Sequence, residues 1–300
     1  MNTATRRVAV IINPISGTGG RLDIARARAE KAAALLLARG REPDVFLTER
    51  VGHARELAVS ALSHGVPLVI AWGGDGTINE VASVLAFSPA ALGVIPSGSG
   101  NGLARELGIP FEPEKALAVA LDGRELVIDA GELDGRLFFN IAGIGLDARV
   151  AHEFAAGGLV RRGFARYLEI TARELFTYQP DEHTIVTDGE PQRERALLIA
   201  IANARQYGNG AIIAPEARVD DGLLDVVVIA HRSPLRALMQ VPRVFLGQIA
   251  RVPGVTMRRA ADVEITSARP VLYHVDGEPF VGGASIRARI QPRALRVKVP

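Results

Sequence analysis

The sequence predicts an N-terminal α/β domain with a parallel sheet, followed by an antiparallel β domain with helical insertions. Over residues 1–128, apolar strand-like runs alternate with helical patterns, which is typical of a parallel sheet wrapped by helices. From about Asp129 onward, short Asp-Gly turns separate the strand-like runs and favour antiparallel hairpins. We therefore predict domains at 1–128 and 129–300, with the last strand or tail, near 291–300, free to return to the first domain.

The first domain contains four predicted strands, at 7–12, 44–48, 68–72 and 91–95, and helices at 21–39 and 54–62, after Thr77 and at 103–107. Loops rich in glycine and hydroxyl groups, at 13–20, 73–77 and 96–102, each follow a strand. Because ligands bind outside the carboxyl ends of parallel strands, we expect these loops to gather along one edge of the sheet.

The central loop reads Gly73-Gly74-Asp75-Gly76-Thr77. Its glycines let a ligand approach the main chain without meeting a Cβ atom, and the helix that follows directs N–H groups toward a bound phosphate. Asp75 would repel a bare phosphate, so it indicates a divalent metal or a hydroxyl proton. The alternative is a tight turn in which Asp75 and Thr77 cap the helix.

The second domain has predicted turns at 134–135, 188–189 and 276–277, helical patterns at 147–176 and 234–249, and strands at 184–187, 196–202, 263–266, 271–275, 284–290 and 295–299. We expect 188–189 to join 184–187 directly to 196–202. With no low-complexity linker, we also expect a broad interface and a cleft between the two domains.

Two acidic clusters in this domain are candidates for chemistry. Asp220, Asp221 and Asp225 surround Gly222, where a carboxylate and main-chain carbonyls could bind a hard cation such as magnesium. The alternative is an Asp-Gly turn. Asp276 and Glu278 flank a glycine at the end of a strand, and either could be a general base for an alcohol. There the alternative is a hairpin tip with solvated acids.

Composition excludes several classes of protein. A formal charge of +2 and the lack of a basic, aromatic-interleaved stripe argue against nucleic acid. The absence of cysteine excludes disulfides and thiolate zinc sites. No lysine lies beside a glycine loop, so a Walker-type loop is absent and any phosphate is held by backbone, hydroxyls or arginine. The chain lacks a recognisable export signal, and we expect a cytoplasmic location.

Two stretches are basic and amphipathic. Residues 232–261 contain six arginines and no acid, and residues 154–167 contain Arg161, Arg162 and Arg166 among apolar side chains. Arginine beside an apolar face suits an anionic membrane surface. The alternative, which is more common, is a helix that packs its apolar face on its own domain.

With these pieces in place, the chain resembles the diacylglycerol kinase catalytic-domain family, which includes bacterial soluble lipid kinases and the sphingosine and ceramide kinases. The motifs that carry the resemblance are NPISG at 13–17, GGDGTINEV at 73–81, PSGSGNGLAREL at 96–107, APEARVDDGLLDV at 214–226 and VDGEP at 275–279. They occur in the family's order and at suitable spacing, so the resemblance covers nearly the whole chain.

The resemblance implies a Rossmann-like nucleotide-binding domain, a C-terminal β-sandwich domain, and phosphoryl transfer from ATP, with magnesium, to a lipid hydroxyl. It implies a magnesium site at Asp221 with the carbonyls of Arg218 and Leu223. It implies Glu278 as the base, with Asp75 as the base favoured in sphingosine kinases. Asp276, proposed above from its position beside Gly277, is a further catalytic candidate. The implied nucleotide contacts are Asn13, Thr48, Gly73, Gly74, Asp75, Gly76, Thr77, Asn79 and Ser99.

The third loop departs from the bacterial pattern. It reads Ser99-Gly100-Asn101-Gly102, closer to the sphingosine and ceramide branch than to the GTxND of bacterial members. The resemblance therefore does not identify which lipid is the substrate. An NAD kinase and a non-catalytic nucleotide- or lipid-binding regulator remain alternatives. The expected partner is a lipid substrate, with no nucleic acid. We also consider peripheral association with the inner face of an anionic membrane, and a homodimer.

Overall fold

The structure of the chain is a computed structural model that describes residues 6–17, 22–156 and 164–300. Its contacts divide the chain into two compact units, Met1–Ile128 with Arg293–Pro300, and Asp129–Pro292. Among the described helices, none is long and apolar enough to cross a membrane.

The N-terminal unit alternates strand and helix, as the sequence predicts. Its elements are β1 Arg7–Ile12, α1 Leu22–Ala38, β2 Glu42–Leu47, α2 His53–Ser63, β3 Leu68–Gly73, α3 Asp75–Leu85, β4 Ala91–Pro96, α4 Gly102–Glu106 and α5 Pro113–Asp122. The last of these, α5, was not predicted. It begins with Pro113 in its first turn and buries Ala116, Leu117 and Ala120.

The sheet of this unit has the order β2-β1-β3-β4, and all three pairings are parallel. Every residue of β3 and β4 is buried, since helices cover both faces of a parallel sheet. Arg296 and Val297, near the C-terminus, pair in parallel with the start of β4. The carboxyl ends of β1, β3 and β4 therefore lie at one edge of the sheet, where the glycine loops begin.

The C-terminal unit is mainly antiparallel. Its elements are β5 Arg124–Leu133, β6 Arg136–Phe138, β7 Ile141–Gly145, α6 Leu146–Ala156, α7 Phe164–Thr177, β8 His183–Thr187, β9 Glu190–Glu194, β10 Ala196–Ala202, β11 Leu224–Ala230, α8 Pro234–Phe245, β12 Val255–Ala260, β13 Asp262–Ser267, β14 Leu272–Val275, β15 Glu278–Val281 and β16 Ser285–Val299. The strands β5 and β16 each include residues of the first unit.

Two antiparallel layers build this unit. One has the order β12-β11-β10-β7-β14-β15, and in the other the first part of β16 pairs with β13, β13 with β8, and β8 with β9. A single buried cluster contains side chains of both layers, among them Ile199 and Val226 of the first and Ile185 and Ile265 of the second. The antiparallel β-sandwich with helical insertions is therefore confirmed.

Several element predictions were wrong in detail. The turn at 188–189 joins β8 to β9, not directly to 196–202. The pattern at 147–176 forms two helices, with residues 157–163 outside the described part. Residues 284–290 and 295–299 belong to one strand that passes through Arg293 at a φ of 55°. Apart from β5 and β6, which flank the predicted turn at 134–135, five strands are absent from the predicted list. Of these, β9, β12 and β15 lie at sheet edges, where one side is unpaired and polar residues are tolerated, whereas β7 and β11 lie inside the six-stranded sheet and are largely buried.

Candidate active site

The glycine loops that follow β1, β3 and β4 contact one another. The Asn13 Nδ2 group donates to Thr77 Oγ1 at 2.9 Å, and Ser97 Oγ donates to Ser16 Oγ at 3.1 Å. A Cβ atom on Gly98 would lie 2.6 Å from the Cα of Gly74, so glycine is required where these two main chains approach. The predicted gathering of the loops is confirmed for their described residues; 18–20 lie outside them.

The Asp75 side chain binds the third loop. Its two carboxylate oxygens accept main-chain N–H bonds from Asn101 at 2.8 Å and Gly102 at 2.7 Å, at the start of α4. The N-cap residue of α3 is Gly74, which has no side chain to cap the helix. The Asp75 carboxylate joins the second loop to the third.

Asn101 closes the third loop from within. Its φ is 52°, and its buried amide exchanges two hydrogen bonds of 2.8 Å with the main chain of Gly98. The residue that follows is Gly102, whose N–H reaches Asp75. Ser99, between these anchored residues, is exposed. Ser99 is therefore accessible, while hydrogen bonds from Asn101 and to Asp75 hold the main chain on either side of it.

The other predicted nucleotide contacts lie on the same elements. Gly73 and Gly74 precede α3, and a Cβ on Gly76 would meet no atom within 4 Å, so its main chain faces open space. Asn79 lies in α3 and accepts a hydrogen bond of 3.3 Å from Ser83 Oγ. Thr48 follows β2, is buried, and donates its N–H to Ile12 at the end of β1, at 2.9 Å.

Two arginines that the sequence analysis missed contact the loops. Arg28 of α1 donates to the Ser16 carbonyl at 3.1 Å and lies over the Trp72 ring at 5.6 Å. Burial lowers the pKa of this guanidinium. Arg105 of α4 donates to the Gly100 carbonyl at 3.0 Å. Helix α1 carries a second arginine, Arg26, so no local signal distinguishes Arg28; only the fold places it beside a loop.

In the C-terminal unit, Asp276 and Gly277 form the tight turn between β14 and β15, with φ of 46° and 88°. Both φ values are positive, as a two-residue type I′ hairpin requires. The Asp276 carboxylate accepts main-chain N–H bonds of 3.0 Å from Phe139, Asn140 and Ile141. Asp276 therefore fixes the hairpin, whereas Glu278 directly beside it is exposed.

The Asp-Gly-Glu-Pro sequence of this hairpin occurs twice in the chain. At the second copy, Asp188 and Gly189 have φ of 46° and 90°, and the Asp188 carboxylate accepts the N–H groups of Ala261 and Asp262. Those bonds are exposed, and Glu190 forms a surface pair with Arg258 at 3.4 Å. The 188–191 hairpin has the same four residues in a different setting, so variants in it serve as matched controls for variants in the hairpin that carries Glu278.

A buried polar group lies beneath the Glu278 hairpin, and the sequence analysis missed it. Tyr207 donates its hydroxyl to Asp147 at 2.7 Å, and the Nε2 atom of His274 lies 3.2 Å from the same carboxylate oxygen. The Gly277 N–H donates to His274 Nδ1 at 3.3 Å. Because Nδ1 accepts here, the imidazole proton is on Nε2 and points at Asp147. A cluster assembled from residues so distant in sequence leaves no local pattern.

The predicted magnesium residues lie in the turn before β11. Asp221 accepts the Leu223 N–H at 3.2 Å and pairs with Arg259, and the Arg218 side chain contacts Asp220 at 3.4 Å. No group of three His, Cys, Asp or Glu side chains among the described residues forms a metal cluster.

The surroundings of the neighbouring Asp225 carboxylate nonetheless suit a bound cation. Burial raises the pKa of this carboxyl against the opposing effect of Arg259, and its buried Oδ2 atom has no hydrogen-bond donor among the described residues. The nearest cationic atom is Arg259 Nε, at 3.7 Å. Carboxylate and carbonyl oxygens are the donors that magnesium prefers, so the residue chemistry fits, with Arg259 as a competing cation.

Comparison with known proteins gives the family. Residues 7–133 match the model of the diacylglycerol kinase catalytic domain, and residues 140–299 match the YegS C-terminal NAD kinase beta sandwich-like domain. A Pseudomonas aeruginosa protein named "Probable lipid kinase YegS-like" is 35% identical over 272 residues, which are 87% of this chain and 86% of that protein. The chain belongs to the YegS-like lipid kinase family.

Other proteins are similar over most of the chain as well. A Klebsiella pneumoniae protein of the same name is 33% identical over 90% of each chain. A solved structure from Bacillus anthracis str. Sterne matches all of this chain and 97% of its own, with a TM-score of 0.80 and 21% identity. A diacylglycerol kinase from the same organism gives a TM-score of 0.75 at 20% identity, over 98% of this chain and 97% of its own. At these identities the structures confirm the fold, while the sequence relatives confirm the predicted family.

Proposed function

We propose that this chain is an ATP- and magnesium-dependent kinase that phosphorylates a lipid hydroxyl, on diacylglycerol or a related lipid, with a sphingosine-like base as the other acceptor. The observation that supports it most is the contact of three glycine loops at the carboxyl edge of β1, β3 and β4, in a chain of this family. Such an edge offers main-chain N–H groups and hydroxyls to a triphosphate.

Phosphoryl transfer depends mainly on positioning and on stabilising the charge of the transferred group. We assign phosphate binding to the main chain of Gly76 and Thr77 at the start of α3 and to the exposed hydroxyl of Ser99. Asp75 then acts by fixing the third loop, because both of its oxygens accept hydrogen bonds from that loop. Asn13 and Arg28 support the first loop in the same way.

We assign Glu278 as the general base that takes the proton of the lipid hydroxyl. Its carboxylate is exposed, next to a turn that Asp276 holds with three main-chain hydrogen bonds. A base on a fixed hairpin stays in position, so no conformational entropy is lost by ordering a loop at each turnover. Asp276, whose oxygens are occupied by N–H groups, is a positioning residue in this scheme.

Asp221, with the carbonyls of Arg218 and Leu223, would hold magnesium, which when bound neutralises nearby negative charge. Arg259 pairs with the same carboxylate, so we expect weak binding that needs millimolar ion. Calorimetric titration with magnesium tests this: Asp221→Asn should remove the binding, whereas Asp220→Asn, which changes the exposed neighbour, should not.

The function is tested by transfer of labelled phosphate from ATP to micellar diacylglycerol, monoacylglycerol, phosphatidylglycerol, sphingosine and ceramide, with NAD as the out-group acceptor. Glu278→Gln should lower kcat by at least about 100-fold while leaving ATP affinity unchanged. Glu190→Gln, at the equivalent position of the second Asp-Gly-Glu-Pro hairpin, is the matched control and should leave kcat unchanged.

Each alternative has its own outcome. Label in NAD alone would make the chain an NAD kinase, and ATP binding without label in any acceptor would support a regulator that binds nucleotide. Equal losses in Glu278→Gln and Glu190→Gln would remove Glu278 as the base. The cytoplasmic location and the homodimer stay predictions, which cell fractionation and light scattering would test.

A further inference from the structure

Helix α8, Pro234–Phe245, exposes its large apolar side chains. None of its residues is buried. The exposed apolar side chains on the helix and at its C-terminal end are Leu235 (60%), Leu238 (45%), Met239 (61%), Val241 (39%), Phe245 (41%) and Leu246 (67%). Most exposed apolar residues of a protein are scattered singly, so five on one short helix and a sixth at its C-cap indicate a contact surface.

An ordinary surface helix packs its large apolar side chains against the core, whereas α8 exposes most of them to solvent. Ala237 packs against the cluster formed by α6, α7 and Leu197, and Val244, seven residues later on the same face, packs against another core cluster. Leu235, Met239 and Leu246 follow one another at helical spacing on the opposite face. The common alternative, a helix that buries its large apolar face on its own domain, is therefore wrong for α8.

Arginines accompany this apolar face in sequence. From Arg232 to Ala261 the chain has six arginines and no acidic residue, although Arg258 and Arg259 of β12 are paired with acidic residues elsewhere in the unit. Arg232 and Arg236 are exposed, and Arg243 donates to the Gln240 side chain at 2.8 Å and to the Arg251 carbonyl at 3.3 Å. Helix α8 thus combines exposed apolar side chains with three arginines on or directly before the helix, Arg232, Arg236 and Arg243.

The second basic stretch differs. Arg161 and Arg162 lie outside the described residues, and Arg166 of α7 forms an ion pair of 2.7 Å with Glu169. Helix α8 therefore combines two features in the described part of the chain. It exposes several apolar side chains, and it lies in a sequence stretch that has arginines but no acidic residue.

We propose that α8 lies on the surface of an anionic phospholipid bilayer, with Leu235, Met239 and Leu246 at the acyl boundary and Arg232 and Arg236 beside lipid phosphates. Charge complementarity favours this occupant, because a second copy of α8 would bring arginine toward arginine. The inference goes beyond the proposed function: it concerns binding to a bilayer in the absence of ATP and of turnover.

Sedimentation of the full chain with sucrose-loaded vesicles tests it, using phosphatidylcholine alone or mixed with phosphatidylglycerol. We expect binding to the anionic vesicles that weakens with added salt. Arg232→Gln with Arg236→Gln should weaken it by roughly 30-fold, about fivefold for each arginine. Leu235→Ser with Met239→Ser should weaken it by at least about tenfold, since two apolar side chains no longer insert.

Matched controls change the same residue types elsewhere. Leu37→Ser replaces a leucine of α1 that is 62% exposed, and Arg193→Gln replaces an exposed arginine of β9; neither should alter vesicle binding. Unchanged circular dichroism would show that the α8 variants fold. Phosphoryl transfer to micellar lipid should also be unchanged in them, so failure of the surface and failure of the proposed kinase are distinguished.

Three results would overturn the proposal: equal binding to neutral and anionic vesicles, binding that the two double variants leave intact, or no sedimentation at all. A change of mass in light scattering on Leu235→Ser with Met239→Ser would instead make this face a contact between copies of the chain.

Discussion

The carboxylate of Asp75 accepts the main-chain N–H of Asn101 at 2.8 Å, and this bond joins two loops that are 26 residues apart in the sequence. A second bond, from Gly102, engages the other oxygen at 2.7 Å. The acid of the GGDGT motif is therefore a structural link between the strands that bear the glycine loops.

Replacing Asp75 tests that link. Asp75→Ala leaves two main-chain donors of α4 without their acceptor and should cost about 1–2 kcal/mol in the free energy of unfolding. Asp75→Asn keeps one acceptor oxygen and should cost about half as much and retain more ATP affinity than the alanine variant. Denaturation curves and nucleotide titrations measure both. If Asp75→Asn abolished turnover with stability and ATP affinity intact, Asp75 would have a direct catalytic or metal-binding role instead.

Two glycines of the loops should respond differently to alanine. A Cβ on Gly98 would lie 2.6 Å from the Cα of Gly74, so Gly98→Ala should separate the loops and lower both stability and ATP affinity. A Cβ on Gly76 would meet nothing within 4 Å, so Gly76→Ala should leave the melting temperature unchanged and lower ATP affinity alone. Unchanged ATP affinity in Gly76→Ala would mean that phosphate does not approach the main chain at this residue.

The two Asp-Gly turns predict unequal losses of stability. Asp276→Ala removes the acceptor of three partly buried N–H groups and should lower the free energy of unfolding by about 3 kcal/mol. Asp188→Ala removes an acceptor whose donors are exposed to water, and should cost no more than about 1 kcal/mol. Urea denaturation of the two variants gives the comparison, and similar losses would contradict the role assigned to Asp276.

His183 predicts a loss of stability in weak acid. Burial lowers the pKa of this histidine, opposed by nearby Asp181. A lowered folded pKa means that the neutral side chain contributes stability above the unfolded pKa, about 6.5, which is lost as pH falls through the folded value. The melting temperature should therefore drop between about pH 7 and pH 5, and less steeply in His183→Gln. His64→Gln, at an exposed histidine of the N-terminal unit, is the control and should keep the wild-type slope.

Local patterns were sufficient for most of the fold because they depend on nearest neighbours. Apolar runs such as 68–72 and 91–95 identify central strands, and the Asp-Gly pair at 276–277 identifies a hairpin turn. Of the strands that escaped prediction, β9, β12 and β15 lie at edges, where pairing on one side leaves polar and charged residues exposed and removes the apolar signal. The interior strands β7 and β11 were missed although they are apolar and largely buried. Helix α5 was missed although it has an apolar face and a proline in its first turn.

The sequence by itself determined the order of strands, glycine loops and helices and the family motifs, because periodicity and turn chemistry are written over a few consecutive residues. Only the tertiary structure decided what the acidic residues contact. Asp75 and Asp276 look alike as exposed acids beside glycine, yet each accepts N–H groups from a distant segment. The same holds for α8, whose amphipathic pattern cannot say which face meets the core: small Ala237 packs inward and large Met239 faces outward. Long-range packing makes these choices, since a carboxylate or an apolar face takes whichever partners the folded chain brings to it.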